Sequence, residues 1–272
     1  MGQTLVIAEK PSVAGDIARA LGGFKKDGDF WVSDAMIVGS AVGHLLEIKA
    51  PEEYDVKRGR WSFANLPVLP PHFDLQPIKK SIKKFEGLEK KIRSRSVTDI
   101  INACDAGREG ELIFRYIIQA TGTKKPIRRL WLQSMTKASI QKAFTALRSD
   151  AEMKPLEAAA RSRSEADWLV GINGTRALTA FNSKDGGFFL TTVGRVQTPT
   201  LAIVVAREEE ITHFKPQNYW EVHATFGAQA GDYDSVWVDA DFKKTKGQSA
   251  ELKPERLWTA AEAQAIVAKC QG

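Results

Sequence analysis

Residues 98–111 read Thr-Asp-Ile-Ile-Asn-Ala-Cys-Asp-Ala-Gly-Arg-Glu-Gly-Glu, an apolar stretch that runs directly into an acidic turn broken by glycines. The apolar part predicts a buried strand over 98–104, and 105–108 predicts a loop. Leu112, Ile113, Tyr116, Ile117 and Ala120 then recur at helical spacing, which predicts a helix over 109–121. Strand, loop and helix in this order are the repeating unit of an α/β fold.

Outward from this stretch the same unit recurs. Positions 4–8 read as a buried strand, Glu9 follows it, and Pro11-Ser12 opens a helix that Gly22-Gly23 ends. Short strands are expected over 36–39, 41–47 and 127–132, and helices over 78–95 and 136–147. The basic helix over 78–95 carries Ile82, Phe85, Leu88 and Ile92 on one face. Residues 51–77, rich in Pro, Trp and turn formers, are expected to cross the domain surface irregularly. This organisation predicts a largely parallel sheet flanked by helices over 1–153.

From position 154 the texture changes. A long helix over 156–181, a Gly/Ser/Asp loop at 183–187 and a helix over 197–211 predict a helical domain over 154–215. Strands over 219–226 and 233–242 follow, and a capping box of Thr259 with Glu262 opens a last helix reaching Cys270. A third, strand-rich segment over 216–272 is expected.

Hydrophobic residues make up 43% and charged residues 26%, values at which a chain of 272 residues buries a substantial core. The net charge of +6 mildly favours an anionic partner such as nucleic acid. Cys104 and Cys270 lie far apart and outside any zinc-ligand spacing, so a disulfide framework or structural zinc is not expected and a cytoplasmic setting fits. No segment reaches the run of about 20 apolar residues that spans a bilayer, so no membrane partner is expected.

Glu9 and Asp105 each follow a strand, and in an open α/β sheet the carboxyl ends of the strands share one ligand-binding edge. Glu109 and Glu111 begin the next helix, placing four oxygen donors around one space. Oxygen ligands without Cys or His suit Mg²⁺, which takes one or two carboxylates together with substrate phosphate. Acids at a helix start also complement its dipole without binding anything. The pairing with Glu9 after a matching strand is what favours a metal site for phosphoryl transfer.

Ala8-Glu9-Lys10-Pro11-Ser12 and Asp105-Ala106-Gly107-Arg108-Glu109-Gly110-Glu111 resemble the two signatures of the Toprim domain of type IA DNA topoisomerases, of the topoisomerase III kind. Gly43-His44-Leu45-Leu46-Glu47 and Gly194-Arg195-Val196-Gln197-Thr198-Pro199 resemble two further motifs of that family, in the family's order. The resemblance implies a Toprim-type parallel-sheet domain, a helical domain that binds single-stranded DNA, and the first part of a β-rich arch. It implies Mg²⁺ at Asp105 and Glu109, Glu9 assisting the metal or a proton transfer, and Lys10 neutralising the scissile phosphate. Gly107 stands where the family has a second aspartate, which removes one candidate ligand.

Arg163 and Asp167, four apart on the long helix, read by themselves as a surface salt bridge. The resemblance makes them the pair that contacts single-stranded or negatively supercoiled DNA. Arg195 and Gln197 at a helix start suit a phosphate, and Asn173 and Arg176 add capacity. His44 reads as structural, and Lys79, Lys80, Lys83, Lys84, Lys90 and Lys91 as a solvated helix face.

The family cuts DNA with a tyrosine in a context resembling Met-Arg-Thr-Asp-Ser. None of Tyr54, Tyr116, Tyr219 and Tyr233 has that context, so the chain is expected to be the front part of such an enzyme and inactive alone. A Toprim nuclease or primase, or a non-catalytic DNA-binding module, are the alternatives.

Overall fold

The computed structural model describes residues 2–54, 61–243 and 252–270. They form two compact units, Met1–Ala202 and Ile203–Gly272. Among the described residues no helix is long and apolar enough to cross a membrane.

The first unit is built on β1 (Gln3–Ala8), whose Leu5, Val6, Ile7 and Ala8 are all fully buried. A strand apolar on both faces belongs in the middle of a sheet covered on both sides. β1 accordingly pairs in parallel with β4 (Met36–Ser40) and with β7 (Val97–Ala103). β7 pairs in parallel with β8 (Ile127–Arg129). Antiparallel strands close both edges: β2 (Lys25–Asp27) and β3 (Phe30–Val32) beyond β4, and β9 (Arg148–Ser149) beyond β8.

Successive side chains of a strand point to opposite faces, and the core divides accordingly. Leu5, Ile7, Ile37 and Ile100 join one cluster, with Phe85, Leu88 and Ile92 of α2 (Ile82–Arg93) and Leu112, Ile113 and Ile117 of α3 (Arg108–Thr121). Val6, Ala8, Val38 and Ile101 join the other, with Ala14 and Ile17 of α1 (Pro11–Leu21) and Ile140 of α4 (Lys137–Thr145). Each such Leu or Ile contributes about 1.5–3 kcal/mol by leaving water.

Three departures from the expected elements have local causes. The span 41–47 is not one strand: Val42 has φ 63°, which breaks the extended run, and only β5 (Leu46–Ile48) forms. β5 pairs instead with β6 (Leu75–Pro77) at the end of the expected irregular excursion, of which 55–60 lie outside the described residues. The long helix α5 (Asp150–Asn182) starts six residues earlier than position 156. A capping box of Ser149 and Glu152 satisfies its first amides, and Pro155 is carried inside the helix.

In the second unit β10 (His223–Ala228) and β11 (Gly231–Val236) form an antiparallel hairpin, shorter than the expected strands. The Thr259–Glu262 capping box opens α7 (Ala260–Cys270) as expected. α6 (Gln197–Thr212) runs across the boundary between the units.

Candidate active site

The register of β1 and β7 sets Ala8 beside Ala103, so Glu9 and Asp105 leave the sheet from neighbouring strands at the same edge. Lys10 joins them: its Nζ donates to Asp105 Oδ2 at 2.9 Å and lies 3.5 Å from Glu9 Oε1. The Asp105 hydrogen bond, then the Glu9 charge, raise the Lys10 ammonium above the ordinary lysine value. It therefore stays protonated through neutral pH, and the link is lost only as pH rises past the lysine range. Glu9 is nearly buried, and its Oε2 has no hydrogen-bond partner. A buried carboxylate oxygen without a donor is costly unless something positive completes it. A cavity of about 510 Å³ opens beside Lys10 and Asp105.

The turn after β4 is stitched to the same edge. Ala41 donates its amide to the Ala8 carbonyl at 2.8 Å and Gly43 to the Glu9 carbonyl at 3.1 Å. Val42 between them is a β-branched residue held in the left-handed region, a strain on the order of 1–3 kcal/mol that only a well-braced turn sustains. The turn delivers His44, whose Nε2 lies 2.5 Å from Glu109 Oε1. Glu109 is otherwise exposed on the first turn of α3.

Glu111 is not brought to this edge. It is fully buried, its Oε1 accepting from Arg115 Nε at 2.7 Å and its Oε2 from Asn102 Nδ2 at 3.0 Å. Its helical position, two residues past Glu109, turns it inward against Asn102 of β7. Arg129 completes the group, with Nε 3.4 Å from Glu111 Oε2. Arg129 Nη1 donates to the carbonyls of Asn102 at 3.0 Å and Cys104 at 2.7 Å, and Nη2 to that of Asp105 at 2.7 Å. This one guanidinium holds the backbone that presents Asp105. Burial pulls Arg129 below the ordinary arginine value, while the Glu111 charge opposes the shift.

The two glycines of the acidic turn differ. A Cβ at Gly110 would lie 2.2 Å from the Asp105 carbonyl oxygen, so the turn closes this tightly only with glycine there. Gly107 is extended, and a Cβ there would meet nothing within 4 Å.

On α5, Asp167 is flanked by two arginines. Arg195 Nη1 lies 2.8 Å from Asp167 Oδ1, and Arg163 Nε lies 3.8 Å from Oδ2. Arg163, Asp167, His44, Arg108 and Glu109 share the lining of a cavity of about 160 Å³, so α5 and α3 meet at one place. Gln197, at the start of α6, donates to Thr192 Oγ1 at 3.5 Å and is exposed. Arg176 is placed elsewhere. It is buried, paired with Glu52 and stacked with its guanidinium 5.3 Å from the Trp61 ring centre. Asn173 likewise grips the Val68 backbone, donating to its carbonyl at 3.0 Å.

Residues 4–135 match the Toprim domain family and residues 151–272 the DNA topoisomerase family. The chain is 39% identical over 270 residues to DNA topoisomerase 3 of Bacillus subtilis (strain 168), covering 99% of this chain and 36% of that protein. It is 44% identical over 223 residues to DNA topoisomerase 3 of Staphylococcus aureus (strain USA300), covering 82% and 31%. The chain belongs to the type IA DNA topoisomerase family. It spans about a third of the length of these topoisomerase relatives. Full-length topoisomerase I from Thermotoga maritima shares its fold, with a TM-score of 0.56 at 21% identity, over 96% of this chain and 37% of that one.

Sequence reasoning missed two residues that shape this edge. Arg129 lies within the strand expected over 127–132, and nothing near it in sequence announces Asp105. His44 read as structural because its partner, Glu109, lies 65 residues away.

Proposed function

We propose that this chain is the metal- and DNA-handling part of a type IA topoisomerase of the topoisomerase III kind, holding Mg²⁺ and single-stranded DNA for strand cleavage, passage and religation. The observation that carries this reading is the half-satisfied edge: Glu9 Oε2 buried without a partner, and the Lys10 ammonium set between Glu9 and Asp105. Such an edge is built for more positive charge. Among the described residues no three His, Cys, Asp or Glu side chains converge tightly enough to cage an ion alone. That suits Mg²⁺, which keeps waters and shares its shell with phosphate. Asp105 and Glu109 would hold it with Glu9 assisting, and Glu111 is left to the interior. When bound, Mg²⁺ supplies positive charge against the phosphate oxygens.

The chain's own residues do the rest. In this reading Lys10, charged at neutral pH, neutralises the scissile phosphate, and Glu9 assists the metal or takes and returns a proton at the reacting oxygen. Arg163 and Arg195, oriented by Asp167, hold the flanking backbone, and Gln197 offers an amide beside them. None of the tyrosines is assigned as nucleophile. Tyr116 is buried and donates to Ser164 Oγ at 2.9 Å, and the Tyr54 hydroxyl is engaged by the backbone of Asp74. Tyr233 stacks on Phe226, and Tyr219 lies under the Arg256 guanidinium.

The test pairs binding with chemistry. Fluorescence anisotropy with an oligothymidylate should show affinity that falls with salt, and Arg163→Ala with Arg195→Ala should flatten the logarithmic salt slope by about 1.4, roughly 0.7 per lost phosphate contact on a single strand. In a plasmid assay with negatively supercoiled DNA and Mg²⁺, the chain should give neither relaxation nor a covalent adduct. Unchanged binding by the double variant would remove the DNA site, and relaxation by this chain would remove the assignment of the nucleophile elsewhere.

A further inference from the structure

A cavity of about 590 Å³ begins where the candidate active site ends. Its lining includes Ser12, in the first turn of α1 two residues after Lys10, and Ser40, the register partner of Ala8 at the end of β4. Four cationic side chains, Arg19, Lys26, Lys80 and Lys84, also line it, against the single carboxylate of Asp29. Asp29 pairs with Lys84 at 3.1 Å and Arg19 pairs with Asp16, whereas Lys80 has no charged partner among the described residues. The indole of Trp31 forms part of the wall, with Lys26 Nζ 5.8 Å from its centre.

Two features ask for an anion here. Lys10 caps α1 without a side-chain hydrogen bond and Pro11 has no N–H, so Ser12, which lines the cavity, carries the first uncapped amide of an eleven-residue helix. Ser40 is only 1% exposed, and its hydroxyl has no hydrogen-bond partner among the described residues. The volume exceeds what a lone phosphate needs and falls in the range of pockets for a nucleotide-sized ligand. A basic trough with an aromatic wall is the combination that single-stranded nucleic acid uses, phosphates on the cations and a base on the ring.

We infer that this trough is a second binding segment for single-stranded DNA, receiving a nucleotide of the strand as it leaves the carboxylate edge, with phosphate at Ser12, Lys80 and Lys26 and a base against Trp31. The inference rests on the proposed DNA reading of the carboxylate edge but not on the α5 site. It also separates Lys80 from the rest of the lysine-rich helix face, giving it a ligand.

The test compares three double variants of the 272-residue chain by anisotropy with a labelled twelve-residue oligothymidylate. Lys26→Glu with Lys80→Glu alters two exposed side chains of the trough. It should weaken binding about tenfold and flatten the salt slope by about 1.4. Lys124→Glu with Lys142→Glu makes the same charge change at exposed positions outside the trough and should cost less than about twofold. A twelve-residue strand bearing iodouracil near its 3′ end should cross-link to Trp31. Binding by Lys26→Glu/Lys80→Glu that equals the parent, or that falls no further than in the Lys124→Glu/Lys142→Glu control, overturns the trough. Loss in that variant together with parent-like binding by Arg163→Ala/Arg195→Ala supports the trough while removing the α5 site.

Discussion

Glu111 and Asp105 belong to the same seven-residue turn and end in opposite circumstances. Below the sheet edge, Glu111, Asn102, Arg115 and Arg129 form a dry group in which both oxygens of the carboxylate have donors. Above it, Glu9, Lys10, Asp105, His44 and Glu109 form an open group with one carboxylate oxygen unserved. The lower group sets one carboxylate against two guanidinium groups, and the upper sets three carboxylates against one ammonium and His44. The difference teaches that a carboxylate outnumbered by cations and served on both oxygens holds a fold, while an excess of carboxylates with one oxygen unserved waits for a cation.

The largest expected effect breaks the lower group. Glu111→Ala leaves Arg129 buried without a carboxylate and Arg115 with only Asp150 and Glu157, and should lower unfolding free energy in urea by about 3–5 kcal/mol. A loss below about 1 kcal/mol would mean that the two groups do not differ. In the upper group Asp105→Asn should change stability by less than about 1 kcal/mol, since its partner Lys10 is exposed and screened by water. Calorimetry should nonetheless show Mg²⁺ binding lost. Gly107→Asp sharpens the same contrast: the position has room for a side chain, and an added carboxylate should tighten Mg²⁺ roughly tenfold. His44→Ala is the smallest, with a stability change within about 0.5 kcal/mol in thermal unfolding, because its contact to Glu109 is at the surface.

The sheet and its carboxylate edge were legible because the apolar run of β1 leads straight into Glu9, and the buried end of β7 leads through Cys104 into Asp105. The fate of Glu111 was not, because its third partner, Arg129, arrives from β8, beyond the whole of α3. On α5 the sequence set Arg163 and Asp167 against DNA and added Asn173 and Arg176 as further phosphate-binding capacity. At about 100° per residue, Asn173 and Arg176 point away from the first two, and they hold Val68 and Glu52 of the excursion. The β2–β3 hairpin escaped because Lys25, Lys26 and Asp27 are exposed and carry no apolar alternation. Val42 was read as strand because its type favours one, and only the bonds of its neighbours to Ala8 and Glu9 explain why it is not.

Gly107 and Gly110 look interchangeable in the sequence, three positions apart in one motif. The contact of Gly110 with the Asp105 carbonyl makes them unequal as places where relatives of this chain are free to diverge. Position 110 is closed to drift: any side chain there reopens the turn and moves the one acid that both strand edges converge upon. Position 107 is a door left open, at which a lineage can gain or lose a carboxylate by a single codon without disturbing the backbone around it. Two enzymes with the same scaffold can in this way differ in how firmly they keep their ion.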